Sequence, residues 1–132
     1  VSSIQVLTDF TGKDTWACYP AAQTRLLSLL RNTPVPLTIL SGDRHLHEIS
    51  RRELTSDRVV HEITSSGLTH FSETGNPNAF RLEDQITETN FGLLNFDWDT
   101  SGKATLKGLK TSLYSPQSGS LLRNFEIPLR WL

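Results

Sequence analysis

The feature that most constrains this chain is an apolar run, Val35-Pro36-Leu37-Thr38-Ile39-Leu40, with a helical pattern before it and a polar turn after it. A short apolar run bounded by a Pro and a Gly reads as a buried strand. Upstream, Pro20 has the fixed φ that suits the first position of a helix. Ala22, Leu26, Leu29 and Leu30 then make an apolar stripe at helical spacing, widened by Leu27, while Arg25, Ser28 and Arg31 fall on the polar side. Pro34 and Pro36 stop the helix near Asn32. A one-faced helix leading into a buried strand at 37–41 is the mark of α/β layer packing. The expected class is α/β with one main helix.

The strand opens into Ser41-Gly42-Asp43-Arg44-His45-Leu46-His47-Glu48. Gly42, without a Cβ, can turn the chain at φ > 0. One carboxylate, two imidazoles and a second carboxylate follow within six residues. Loops at the carboxyl ends of buried strands are where α/β proteins place ligands and metals. Carboxylate and imidazole donors together suit zinc, iron or manganese, whereas calcium takes all-oxygen shells. The competing reading is a polar edge strand with His45 and His47 on one solvent face, since residues i and i+2 share a face.

The rest of the chain reads as strands and turns. Residues 4–8 have strand character and 11–14 turn character. Residues 58–64 read as a strand that Ser65-Ser66-Gly67 ends. Residues 69–90 are polar, with a turn cluster at Gly75-Asn76-Pro77-Asn78, and read as a long surface loop with room for one short helix. Residues 91–97, 104–112 and 121–129 read as three strands. Turn signals at 100–102 and 115–119 separate them, which makes an antiparallel meander with one apolar face. Within Glu62-Ile63-Thr64-Ser65-Ser66-Gly67-Leu68-Thr69-His70, the Ser/Thr/Gly turn can offer N–H groups and hydroxyls to a phosphate, and His70 can act as ligand or general acid. The alternative there is a strand end whose hydroxyls cap their own backbone.

Several classes are excluded or disfavoured. The chain of 132 residues is one domain's worth and long enough to bury a core. Its formal charge of −1 gives no electrostatic case for nucleic acid or an anionic membrane. No run approaches the ~20 apolar residues of a spanning helix. With one cysteine, Cys18, no internal disulfide is possible, and its neighbours Ala17 and Tyr19 suggest a small buried hydrophobe. A serine hydrolase is disfavoured because the G-x-S-x-G elbow is missing. Trp16, Tyr19, Trp98 and Trp131 are scattered, which favours packing over a stacking surface. Arg51 and Arg52 are read as a solvated pair. The chain starts without Met inside a strand-like stretch, which suggests a piece of a longer polypeptide.

Four segments together resemble the C-terminal part of a PhoD-like phosphatase, the alkaline phosphatase D family within the calcineurin-like metallophosphoesterases. They are Asp14–Leu27, Leu40-Ser41-Gly42-Asp43-Arg44-His45, Glu62–His70 and Asn90-Phe91-Gly92-Leu93. The superfamily's last metal motif is G-H-x-H, and Gly42-Asp43-Arg44-His45 stands in its place. The resemblance implies that His45 is a metal ligand and that Asp43 takes the place of the first histidine. It also places Arg44 and His70 as catalytic groups and Ser65 and Ser66 at the substrate rim. His47 and Glu48 lie beyond the shared motif.

The implied fold is part of a metallophosphoesterase-type layered α/β sandwich with a largely antiparallel C-terminal sheet. The implied chemistry is hydrolysis of a phosphate mono- or diester at a two-metal site of iron, calcium, zinc or manganese. The superfamily's earlier metal motifs are absent from this sequence. The missing ligands are therefore expected in an N-terminal part of the same polypeptide, and the 132 residues alone are expected to be inactive. Members of the family are often exported. The alternative is a non-catalytic binding or scaffold module built on the same fold.

Overall fold

The structure, a computed structural model, describes residues 1–128. It contains one α-helix and two three-stranded sheets, mostly antiparallel. A 3-10 turn at Trp16–Cys18 leads into α1, Pro20–Arg31. The first sheet holds β1 (Leu37–Ser41), β2 (His47–Thr55) and β3 (Arg58–Ser65) in the order β1-β3-β2. β1 runs parallel to β3, and β2 and β3 form an antiparallel hairpin. The second sheet is the meander β4 (Phe91–Asp99), β5 (Thr105–Tyr114) and β6 (Leu121–Pro128).

The elements stack in three layers around the first sheet. On one face, Ile39 and Val60 pack with Leu27 of α1 and with Val6 and Leu7 of the N-terminal segment. On the other face, Ile63 and Leu40 pack against Leu109, Ile127, Leu94 and Phe125 of the second sheet. The strand period of two puts Val60, Glu62 and Thr64 toward the helix and Ile63 toward the second sheet. Each fully buried Leu, Ile or Val here contributes about 1.5–3 kcal/mol.

α1 matches the expected span, but its buried stripe is turned slightly. Leu27 is its buried centre, with Leu26 and Leu30 beside it, whereas Leu29 is 60% exposed. Gln23 completes the inner face by donating to the carbonyls of Val6 and Thr8 at 2.8 and 3.3 Å. Cys18 is exposed rather than buried.

Residues 4–8 are not a strand, although 5–8 are buried. Their backbone pairs with a side chain. The Glu62 carboxylate, fully buried, accepts the N–H groups of Val6 at 2.8 Å and Leu7 at 2.5 Å. Burial pushes the Glu62 carboxyl above its ordinary range, opposed by these donors and by a hydrogen bond from Ser41. β2 is the element that sequence periodicity does not reveal. The loop at 78–86 runs along its outer edge: Arg51 N–H donates to Phe80 O at 2.7 Å, Leu82 N–H to Ile49 O at 2.9 Å, and His47 and Ile86 exchange two bonds of 3.0 Å. An otherwise open sheet edge is thus covered. The three strands of the meander lie where expected, except that position 129, like Trp131, falls outside the described residues.

Candidate functional site

β1 ends at Ser41, and the chain turns through residues 42–46 before entering β2. The turn is made at Asp43 and His45, with φ of 64° and 53°. Gly42 carries no positive φ, and a Cβ there would meet only ordinary contacts. The special backbone expected of the glycine is therefore carried by two functional-type residues. Non-glycine residues in the left-handed region cost of order 1–3 kcal/mol, and such strain clusters at binding sites. Asp43 and His45 are both exposed, and Arg44 between them is buried.

Ser66 holds this geometry from the end of β3. Its Oγ accepts the N–H of Arg44 at 3.1 Å and of His45 at 3.0 Å. The loop after β3 is tied to the turn as well, with Ser72 N–H donating to His45 O at 2.6 Å. That tie brings His70 alongside His45, with ring centroids 6.3 Å apart and planes inclined by 39°. Thr69 Oγ1 lies 2.9 Å from His70 Nδ1, which fixes one ring nitrogen and leaves Nε2 free of that bond. Two exposed imidazoles, His45 and His70, therefore lie side by side, and Asp43 is exposed on the same turn as His45.

Ser65, half-buried like Ser66, donates to Asn90 Oδ1 at 3.3 Å. Gly67 is required at this corner, because a Cβ would collide with the Asn90 amide. Ser65 and Ser66 thus bond internally, as strand-end hydroxyls do, and Ser66 keeps its own proton to give. Arg44, expected beside a phosphate, points inward with its guanidinium 5.4 Å from the Phe10 ring centroid. Burial lowers its affinity for the proton, opposed by the charges of Glu48 and Asp43.

His47 is not on the rim. It is 1% exposed, and burial brings its pKa from 6.5 to about 4, helped by Arg123 and opposed by a hydrogen bond to the Thr64 backbone. Glu48 is buried too, and its role is structural. Its Oε1 accepts from Gln5 Nε2 and Ser50 Oγ at 2.9 Å each and from Asn78 Nδ2, and its Oε2 from Arg81 Nε at 3.0 Å and from Gln85. Arg51 pairs with Glu53 at 2.8 Å and Arg52 stacks on Phe80 at 4.6 Å, so neither clamps an anion. Trp16 packs on the first core, while Trp98 is 53% exposed.

The donor set can be tested against a metal. Among the described residues, no group of three or more His, Cys, Asp and Glu side chains is gathered to hold an ion. Two imidazoles on one tetrahedral ion have centroids roughly 5 Å apart. The observed 6.3 Å needs about one further ångström of closure, within reach of side-chain rotation. His45 and His70 are nitrogen donors and Asp43 an oxygen donor of the types a transition metal takes, but the three are not gathered around one point. No helix among the described residues is long and apolar enough to cross a membrane. Comparison with family models, with curated proteins and with solved structures finds no match for this chain.

Proposed function

We propose that this chain is the C-terminal part of a PhoD-like metallophosphoesterase and supplies the final metal-binding turn of a two-metal phosphate-ester hydrolase. The observation that carries the reading is the left-handed turn at Asp43 and His45, which leaves both side chains exposed, with His45 beside His70. A chain that spends backbone strain on an aspartate and a histidine, with a glycine adjacent, has those side chains positioned for a purpose. Carboxylate and imidazole together suit iron, zinc or manganese better than calcium.

In this reading Asp43 and His45 hold the metal, and the remaining ligands come from polypeptide outside these 132 residues. Bound there, the metals supply polarisation of the phosphoryl oxygens. Ser66 keeps the turn rigid through the two N–H groups it accepts. His70, oriented by Thr69, gives a proton to the leaving oxygen. Ser65 and Ser66 form the wall at the substrate rim, and the charge of Arg44 beneath the turn favours an anion above it.

The test uses a longer polypeptide that includes the upstream metal motifs of the proposed family. His45→Ala should lose both bound metal and phosphatase turnover while keeping its circular dichroism spectrum. Near-normal turnover would remove His45 from the site. The 132-residue protein alone, given a generic phosphate ester and divalent metals, should turn over little or nothing, and brisk turnover would overturn the two-part reading.

A further inference from the structure

Arg44 is a polar residue of the turn whose side chain goes inward, and among the described residues no acceptor receives it. It is 3% exposed, and its Nε and Nη1 are both shielded from solvent without a hydrogen-bond partner. One face of the guanidinium lies over Phe10. Neither of the two carboxylates whose charges it feels accepts its Nε or Nη1. Glu48 is filled by five donors from Gln5, Ser50, Asn78, Arg81 and Gln85. Asp43 is exposed and makes no hydrogen bond to the Arg44 guanidinium among the described residues.

A guanidinium does not lose its proton in a protein, so burial leaves a positive charge to be balanced. A buried charge without a partner is among the costliest features a fold can carry. The planar fork of donors matches oxyanions, which it takes with two parallel hydrogen bonds. Phe10 can cover a face of that plane but offers no acceptor to its edge, so Nε and Nη1 are left buried without an acceptor among the described residues.

We propose that Arg44 is an oxyanion-binding residue, taking a phosphate-type group or a carboxylate on the edge of its guanidinium while Phe10 packs its face. This deepens the role of Arg44 in the proposed function, from a charge beneath the turn to a direct contact, and does not depend on a metal at Asp43 and His45. The donors are those of Arg44 itself, and Asp43 and His45 take no part.

The experiment uses the metal-free 132-residue protein in chelator, with melting followed by circular dichroism. Phosphate, sulfate and acetate are titrated at constant ionic strength against chloride. A saturable rise in melting temperature with phosphate and sulfate supports the proposal, and a rise confined to acetate supports it and identifies the anion as a carboxylate. Arg44→Met should abolish the response and should melt higher than wild type in chloride, because an unbalanced charge has gone. Arg44→Lys keeps the charge without the fork and should raise the half-saturating concentration about tenfold. If Arg44→Met does not fold, the lysine variant decides: an unchanged half-saturating concentration there overturns the proposal. So does the same response in wild type and Arg44→Met, or no saturable response in wild type.

Discussion

Acidification should destabilise this protein through His47, and the size of the effect follows from its burial. His47 sits at the start of β2, opposite Ser65, 1% exposed and with Nδ1 unpartnered. Its pKa is about 4 in the folded chain against an ordinary 6.5. Below 6.5 the unfolded chain takes up a proton that the folded chain refuses, so stability falls as pH drops from 6.5 toward 4. Over the whole window the loss is about 3 kcal/mol, and between about pH 7 and about pH 5 it is about 2 kcal/mol. Glu62 works in the opposite direction. Its raised pKa lets the folded chain take a proton first, which favours folding as pH falls. The wild-type curve is therefore a sum, and the comparison that isolates His47 is with His47→Leu. Urea unfolding followed by tryptophan fluorescence at the two pH values gives four free energies. Wild type should lose about 2 kcal/mol more than His47→Leu on acidification, whatever the variant costs at neutral pH. Equal losses in the two proteins would refute the argument that a buried neutral imidazole opposes protonation here.

Three further outcomes are expected. Glu62→Gln leaves one acceptor for two N–H groups and should cost about 1–3 kcal/mol, with faster hydrogen exchange at the Val6 and Leu7 amides as the specific readout. Thr111→Val should stabilise the protein by about 1 kcal/mol in the same unfolding assay, because the buried Thr111 hydroxyl has no partner between Leu94 and Phe125. Asp43→Gly should leave stability unchanged or raise it by up to about 1 kcal/mol, whereas Asp43→Ala should not, because only glycine is at ease at a φ of 64°.

What the amino-acid order reveals, and what it hides, divides by the kind of interaction. α1 is legible because Pro20 opens it and Pro34 and Pro36 close it, all local steric effects. β1, β3 and the three strands of the meander are legible from apolar content and the turns between them. β2 is hidden because its helix-side face carries Glu48, Ser50 and Arg52, so no apolar alternation marks it. Its burial depends on Asn78, Arg81 and Gln85, some thirty residues later, and long-range hydrogen bonds leave no local signature. Residues 4–8 read as a strand because they are extended and buried, yet Glu62 takes the N–H groups that a neighbouring strand would have taken. At the site, Asp43, His45 and His70 stand out as residue types able to bind a cation. That Ser66 is the brace of the turn, and that Arg44 turns inward while its neighbours turn outward, follows only from the tertiary geometry.

Asp43 and His45 are the proposed metal ligands, and histidine-detected nuclear magnetic resonance of the 132-residue protein during zinc titration tests this most directly. The imidazole signals of His45 should move and saturate while those of buried His47 stay still, and Asp43→Asn should weaken the His45 shift. No saturable shift at His45, or a shift there that Asp43→Asn leaves unchanged, would contradict a metal site at this turn.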